Sequence, residues 1–413
     1  MTGRSPRHPL RGGGRAPARS AVGGATRYAK LTKDIAASVR LGHPWVFADA
    51  IELPRDCLAG EVCDLIGVSG EFVARGVVDP TRHLRFRAWT RDRAQAVDES
   101  LLARRLREAL ALRGELLSPD ITAYRLCHGE GDGIPGLHAD VYGAVLSLRT
   151  DGGVGLAWRE RFVRGLDSLR GWDAIVHRHP EVMDGAAEVI AGAVPGTLRV
   201  QEGERSYWVD VVHGQKTGFF CDQRDNRDLI QKVAAGRRVL NLFSYTGGFS
   251  VAAALGGASR VVSVDIAGPA IALARDNFRL NDIPDQGHGF VVGDAFAYLE
   301  AEAASEAFDL VIVDPPSFVS SRQKKAQALR AYTRLNALAM RALPAGAWLA
   351  SASCSSHIHT PDFLRILADA AVEAERSLRV THVLGPGADH PTPAAFPEGR
   401  YLQFVLAQVT PGR

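Results

Sequence analysis

Leu310-Val-Ile-Val-Asp-Pro-Pro-Ser-Phe318 is the stretch whose reading decides the fold. Four apolar residues, enough for a strand, run straight into a rigid Asp-Pro-Pro turn with an aromatic beside it. A second apolar run, Ala347 to Ala350, leads into Ser353-Cys-Ser-Ser-His357. Both polar stretches therefore fall at the carboxyl ends of neighbouring strands in an open α/β sheet, where such sheets gather their ligands. The turn suits the holding of a flat base, with Phe318 beside it. The thiol of Cys354, one strand away, suits attack on that base.

From Val209 onward the alternation is regular. Strand-like runs occur at Val239 to Phe243, Val261 to Val264, Phe290 to Val292, Leu310 to Val313 and Ala347 to Ala350. Helix-like segments lie between them, among them Phe249 to Leu255, Gly268 to Leu280 and Gln323 to Leu343. This order predicts an α/β domain with a parallel sheet covered by helices on both faces. After the first strand comes Phe243-Ser-Tyr-Thr-Gly-Gly-Phe249, where Gly247 and Gly248 let the backbone approach a ligand closely. The dinucleotide fingerprint G-x-G-x-x-G is absent, which argues against a pyrophosphate. Asp265, at the end of the second strand, can accept both hydroxyls of a ribose. Asp294, after the third, can reach the exocyclic amine of an adenine. An adenosine with no phosphate to cradle points to S-adenosylmethionine. Helix capping by Asp265 and Asp294 explains each acid singly, but not the series.

An electrophilic methyl needs a nucleophilic target. C5 of a pyrimidine becomes one only when a group adds to C6, and a cysteine thiolate is the natural adduct former. A thiol of unperturbed pKa about 8.5 needs electropositive help to ionise. His357, or the amino end of a helix starting near His359, is a candidate source. His357 and Glu398 are candidates for the base that later removes the C5 proton. A nitrogen-methylating enzyme needs no thiol, so Cys354 discriminates between the two chemistries. The commonest fate of a free cysteine is a small buried core residue, and that is expected of Cys57, Cys63, Cys127 and Cys221.

Ahead of this region the chain is more varied. Residues 1–27 read as a disordered basic arm, either a nucleic-acid tail or a solvated extension. A small β-rich unit follows. In it Leu84-Arg-Phe-Arg-Ala-Trp89 alternates with period two, placing Arg85, Arg87 and Trp89 on one face. That face is expected either to grip RNA by phosphate contact and base stacking or to pack Trp89 on the next unit. An amphipathic helix is predicted from Asp98 to Leu117. The segment Gly129-Glu-Gly-Asp-Gly-Ile-Pro-Gly136 is too rich in Gly and Pro for regular structure. Its Glu130 and Asp132 are expected to stabilise the turn rather than to bind a metal.

Bulk properties fit this organisation. The 413 residues are 46% hydrophobic and 23% charged, an ordinary globular composition long enough for two or three domains. No apolar run approaches the roughly 18 to 20 residues of a membrane span. The Arg-rich start lacks an apolar core, unlike a secretory signal. Five cysteines without a Cys-x-x-Cys pair indicate neither zinc nor a disulfide framework, and fit a reduced, cytoplasmic setting. A net charge of +3 is too small to argue for nucleic acid by itself.

Seven segments, in order, carry a resemblance: Arg40 to Phe47, Gly129 to Leu137, Gly214 to Arg227, Asn241 to Gly248, Asp314 to Phe318, Ser353 to Ser355 and Phe396 to Tyr401. In these the chain resembles the class I large-subunit rRNA cytosine-C5 methyltransferases with an amino-terminal PUA domain. The resemblance implies a PUA RNA-binding unit over 28–95, an α+β unit over 96–205 and a Rossmann-like methyltransferase domain over 206–413. It implies S-adenosylmethionine as donor and 5-methylcytosine in 23S ribosomal RNA as product. It also implies that Asn241, Tyr245, Gly247, Asp265, Asp294, Asp314 and Pro315 line the cofactor site, closed over by Phe219, Asp222 and Arg224, with Cys354 as nucleophile and no metal. Homodimers are known in the family. The guanine-N7 branch lacks the cysteine, and an inert RNA-binding scaffold would not need Asp265, Asp294 and Cys354 together.

Overall fold

Three larger sheets, with a two-stranded one before the last, succeed one another along the chain in the computed structural model, which describes residues 27–178, 187–214, 218–301, 307–318 and 325–412. The basic arm lies outside the described residues. The first sheet holds β1 (Tyr28–Leu31), β2 (Trp45–Phe47), β3 (Ile51–Glu52), β4 (Val62–Ile66), β5 (Phe72–Val78) and β6 (Leu84–Thr90), with the short helix α1 (Ala36–Leu41). Its order is β2-β6-β5-β4-β1-β3. On β6 the predicted alternation holds, and Phe86 and Ala88 enter the core of this sheet beside Val46, Leu65 and Val78.

The opposite face of β6 is not open, which corrects the RNA-gripping reading and favours the alternative, Trp89 packed on the next unit. Helix α2 (Glu99–Leu116) and helix α3 (Gly152–Asp167) of the next unit lie against it. Trp89 is buried with its ring centroid 4.8 Å from that of Trp158. It shares a core with Leu102, Leu106 and Phe162. Arg87 is buried in an ion pair with Glu130. An indole gains more from a dry interface than from water, and a guanidinium carried in with it must be paired. Only Arg85 of the three stays partly exposed.

The second sheet comprises β7 (Ala123–His128), β8 (Leu137–Tyr142), β9 (Val145–Thr150), β10 (Ala174–Arg178) and β11 (Ala187–Gly192), in the order β11-β10-β9-β8-β7. Asp98 caps α2 by accepting from the N–H groups of Ser100 and Leu101, as the predicted start requires. In the Gly-rich loop, Glu130 accepts from Trp45 Nε1 at 2.7 Å and Asp132 accepts from the His128 N–H at 2.6 Å and from Arg113. Asp132 thus fixes the turn as expected, whereas Glu130 is occupied by Trp45 and Arg87 of the first sheet. A hairpin, β12 (Leu198–Glu202) and β13 (Arg205–Val209), leads onward. Its buried Glu202 pairs with Arg205 and with Arg227.

The third sheet has seven strands: β14 (Arg238–Leu242), β15 (Arg260–Asp265), β16 (Gly289–Val292), β17 (Leu310–Val313), β18 (Trp348–Ser353), β19 (Arg376–Leu384) and β20 (Gln403–Pro411). Helices α4 (Arg224–Val233), α5 (Gly248–Leu255), α6 (Gly268–Leu280), α7 (Ala295–Ala301), α8 (Lys325–Arg341) and α9 (Thr360–Glu373) accompany it. Its order is β16-β15-β14-β17-β18-β20-β19, parallel except for β20. Cores on both faces explain the unbroken apolar runs, since a strand covered twice needs no polar side. Two strands beyond the five expected close the sheet. The edge strand β19 is largely exposed and interleaves Arg376, Arg379 and His382 with its apolar residues, so it gives no unbroken apolar run. The chain order reverses between β14 and β17, and Phe243, Asp265, Asp314 and Cys354 all follow carboxyl ends at that switch point. Among the described residues no helix is long and apolar enough to cross a membrane.

The segment between β19 and β20 ties the three sheets together. His43 Nε2 lies 3.2 Å from Glu398, and the Trp45 ring meets Phe396 with centroids 4.5 Å apart. Arg113 donates to the Asp389 carbonyl at 2.8 Å. A Cβ added at Gly131 would sit 1.8 Å from the Pro391 carbonyl oxygen, so only glycine admits this contact. Gly131→Ala is expected to cost about 1–3 kcal/mol by overpacking and to lower methyl transfer. Denaturant unfolding and single-turnover assays check it, and an unperturbed enzyme would show that the contact is dispensable.

Candidate active site

A cavity of about 730 Å³ opens at the switch point, within the range of about 300–1,000 Å³ usual for ligand sites. Its first half is built by the loops after β14, β15 and β16. Asp265 accepts from the Tyr245 N–H at 2.8 Å through one oxygen and from the Ala267 N–H at 2.9 Å through the other. The carboxylate is thereby fixed, and each oxygen keeps a lone pair for a ligand hydroxyl. Asp294 caps α7 through the Ala297 N–H at 2.9 Å and still presents an exposed carboxylate on the wall. Phe243, Val264 and Ile266 supply the apolar surface between these acids. Ser244 Oγ is buried on the wall with no hydrogen-bond partner among the described residues. Two carboxylates, an apolar slot and an orphan hydroxyl fit a nucleoside.

At the second corner, Asp314, Pro315 and Cys354 meet. Cys354 Sγ lies 3.9 Å from the Pro315 carbonyl, and the side chain is half-buried on the cavity wall. Cys221 also lines the cavity, but it is buried, and burial pushes its thiol well up. Burial likewise pushes Cys63 up to about 12 and raises Cys57 and Cys127. The four cysteines expected to be structural are all buried; Cys354 is the one that is not. Gln223, which the sequence did not single out, donates from Nε2 to Asp314 at 2.9 Å. Its own oxygen accepts from Asn226 at 2.6 Å, which fixes the amide's orientation.

The lead-in segment is divided. Phe219 and Asp222 line the cavity, Phe219 under the Arg227 guanidinium at 4.6 Å and Asp222 accepting from the Tyr401 hydroxyl at 2.6 Å. Arg224 does not line it. It is buried in an ion pair with Asp389 at 2.6 Å, because a desolvated guanidinium needs a carboxylate more than a ligand does.

Four other expected site residues are placed elsewhere. Asn241 points back into the fold, donating to Ser250 Oγ at 2.8 Å, and so fixes α5 rather than touching a ligand. Gly247 stands at the amino end of α5 with φ of 79°, where an added Cβ would meet the Ala274 Cβ at 3.0 Å. Its smallness serves the turn and the packing of α6, and Gly248 is the glycine on the wall. Phe318 packs into the core against Tyr332, centroids 4.7 Å apart, and leaves the wall to Pro315, Pro316 and Ser317. His357 is exposed and off the wall, held outward by the turn in which Ser355 Oγ accepts its N–H at 3.3 Å. Glu398 does line the cavity, joined to His43.

The third wall comes from outside the catalytic sheet. Trp45, Arg125, His128, His138, Arg149 and Asp151 line the cavity, with His128 against His390 and Tyr401. Burial pushes His128 well down, helped by the neighbouring His390 and Arg125. Burial also pushes the Tyr401 hydroxyl well up, and the Asp222 carboxylate adds to this. Trp45 and Tyr401 lie in the segments Arg40 to Phe47 and Phe396 to Tyr401 that carry the resemblance. The others carry no local signal, because the wall is made by the meeting of three units.

Two outcomes test the site. Asp265→Ala should weaken cofactor binding by roughly 10- to 100-fold, the loss of charged hydrogen bonds of about 1.5–3 kcal/mol, measured by calorimetry. Gln223→Ala should leave that affinity within about two-fold while slowing methyl transfer by a similar factor, and Gln223→Asn should recover little, since its amide falls short of Asp314.

Comparison with known proteins agrees with the geometry. A family model described as S-adenosylmethionine-dependent methyltransferase matches residues 166–396, and a PUA-like domain model matches residues 29–91. A Shigella boydii protein named ribosomal RNA large subunit methyltransferase I is 36% identical over 389 residues, 92% of this chain and 98% of that one. A solved Streptococcus mutans chain described as a SAM-dependent methyltransferase shares the fold, with a TM-score of 0.82 at 22% identity over 93% of this chain and 100% of that one. A second solved structure, a methyltransferase complexed with SAH, has a TM-score of 0.82 at 22% identity and covers 93% and 99%. S-adenosylmethionine is therefore the cofactor. The chain is an S-adenosylmethionine-dependent methyltransferase with an amino-terminal PUA-like domain and belongs to the ribosomal RNA large subunit methyltransferase I family.

Proposed function

We propose that the protein methylates C5 of a cytosine in large-subunit ribosomal RNA through a transient bond from Cys354 to C6. The observation that carries this reading is the position of Cys354, half-buried beside the Asp314-Pro315 turn in the cavity that also holds Asp265 and Asp294. A base-nitrogen methyltransferase has no use for a thiol there. The relatives' name supplies the class of RNA.

In this reading the cofactor supplies an electrophilic methyl group. Asp314, oriented by Gln223, holds the polar edge of the base against the Pro315-Pro316 turn. The Cys354 thiolate adds to C6, which places electron density on C5 for the methyl. Cys221 cannot substitute, because burial keeps it a thiol. The cavity admits a base only when it is out of its stack, at a cost of roughly a few kcal/mol, so a loop is a better substrate than a duplex. Residues 28–95 form the RNA-binding unit, 96–205 the middle unit and 206–413 the catalytic unit. Arg85 is the β6 cation left to meet phosphate.

Cys354→Ala should abolish methyl transfer and leave cofactor affinity within about two-fold, since the thiol lies outside the nucleoside half. RNA carrying 5-fluorocytidine should become cross-linked through Cys354 when the donor is present, because fluorine at C5 blocks the elimination that frees the enzyme. Activity retained by the alanine variant, or an unlinked fluorinated RNA, would exclude the covalent route.

A further inference from the structure

We propose that His390, oriented by Asp389, is the base that removes the C5 proton after methyl transfer. This rests on the covalent reading above and names the group that reading leaves open. His390 is buried on the cavity wall, in the segment between β19 and β20. Its Nδ1 lies 3.1 Å from Asp389 Oδ1. A carboxylate only accepts, so Nδ1 carries the ring proton and Nε2 keeps its lone pair. The orienting carboxylate is itself held. Arg224 donates to it at 2.6 and 3.2 Å, and the Arg125 N–H donates at 2.8 Å. A nucleophile, a base and a third group that aims the base form the arrangement that covalent catalysis uses.

His390 meets a second imidazole on the cavity wall. Its nearest aromatic neighbour is His128, with centroids 4.9 Å apart. Arg125 Nη1 lies 2.8 Å from His128 Nδ1, and a guanidinium only donates, so His128 accepts there and is neutral. No second imidazolium therefore opposes a charge on His390. Asp389 stabilises the imidazolium that forms. The other two candidates fit less well. Glu398 is already joined to His43 at 3.2 Å, and His357 is exposed and off the wall. Asp222, also on the wall, accepts from Tyr401.

The step balances. After the C6–S bond has formed and C5 carries the methyl, Nε2 takes the C5 proton. The C5–H electron pair becomes the C5=C6 double bond, and the C6–S bond breaks with its pair going to sulfur. Cys354 leaves as thiolate, and the imidazolium returns its proton to water.

His390→Gln removes the base and keeps a polar side chain of similar reach. With an unmodified rRNA fragment and S-adenosylmethionine, it should still transfer one methyl group. It should then stall as a methylated protein–RNA adduct that survives a denaturing gel, with turnover slowed by on the order of 10²- to 10⁴-fold. His390→Ala should behave alike and regain turnover when imidazole is added. Near-normal turnover by His390→Gln overturns the assignment, as does lost activity without the trapped adduct. Loss of cofactor binding by both variants would assign His390 to packing and overturn it too. Cross-linking of wild-type enzyme to 5-fluorocytidine RNA separates the cases. If it succeeds while the His390 variants turn over normally, only the base is wrong; if it fails, the covalent reading falls first.

Discussion

Asp389 is the buried carboxylate on which the three-walled cavity depends. It accepts from Arg224 at the start of the catalytic unit, from the Arg125 backbone in the second sheet and from His390 beside it. Its own carbonyl accepts from Arg113 of α2. Burial by itself would raise this carboxyl, but His390 and Arg224 reverse the effect and hold it well below the usual carboxylate range. A folded-state pKa below the unfolded value of about 3.9 means that this stabilisation is complete above that pH. It is withdrawn as acid protonates the group. Removing one partner of such a cluster costs far more than the cluster contributes to net stability, because the charge left behind is buried. The network is therefore a device of position, fixing which loops meet, more than a source of stability.

The catalytic sheet was legible in the sequence because its signals are local. Apolar runs such as Leu310 to Val313 are buried on both faces, and the acids after them fall at the carboxyl ends by chain order alone. Asp265, Asp294, Asp314 and Cys354 all reach one cavity for that reason. What failed was the step from a position near a strand's carboxyl end to the direction of a side chain. Asn241, Gly247 and Phe318 stand beside the site in sequence and serve packing instead. Period two on β6 told correctly which residues share a face, yet it could not say that α2 and α3 cover that face. Period two therefore left open whether Arg87 and Trp89 meet RNA or the next unit, and Arg224 at the start of α4 looks the same in sequence whether its partner is a ligand or Asp389.

Two thiols on one cavity show how burial assigns chemistry. Cys221 and Cys354 both line it. The first is buried within the lead-in segment, where desolvation makes its anion costly. The second is half-open beside the Pro315 carbonyl. Proximity to the cofactor does not distinguish them; access to water does. The same reasoning separates the histidines. His128 is held neutral by burial and a donating guanidinium, whereas a carboxylate aims His390.

The segments Arg40 to Phe47 and Phe396 to Tyr401 gain their meaning from this arrangement. Far apart in the chain, they meet through Trp45 on Phe396 and His43 on Glu398. Trp45 in turn donates to Glu130, the same carboxylate that neutralises Arg87. The first sheet is thus fastened to the second and to the catalytic unit by side chains that also line the cavity. A catalytic sheet separated from the other two would keep Asp265, Asp314 and Cys354 but lose Trp45, Arg125 and His128. It would retain the nucleoside half of the site and lack the wall against which His390 rests. The motifs at the two ends of the chain follow from that need. The nucleoside half can be built by one sheet, but the compartment beside the thiol has to be closed by all three units.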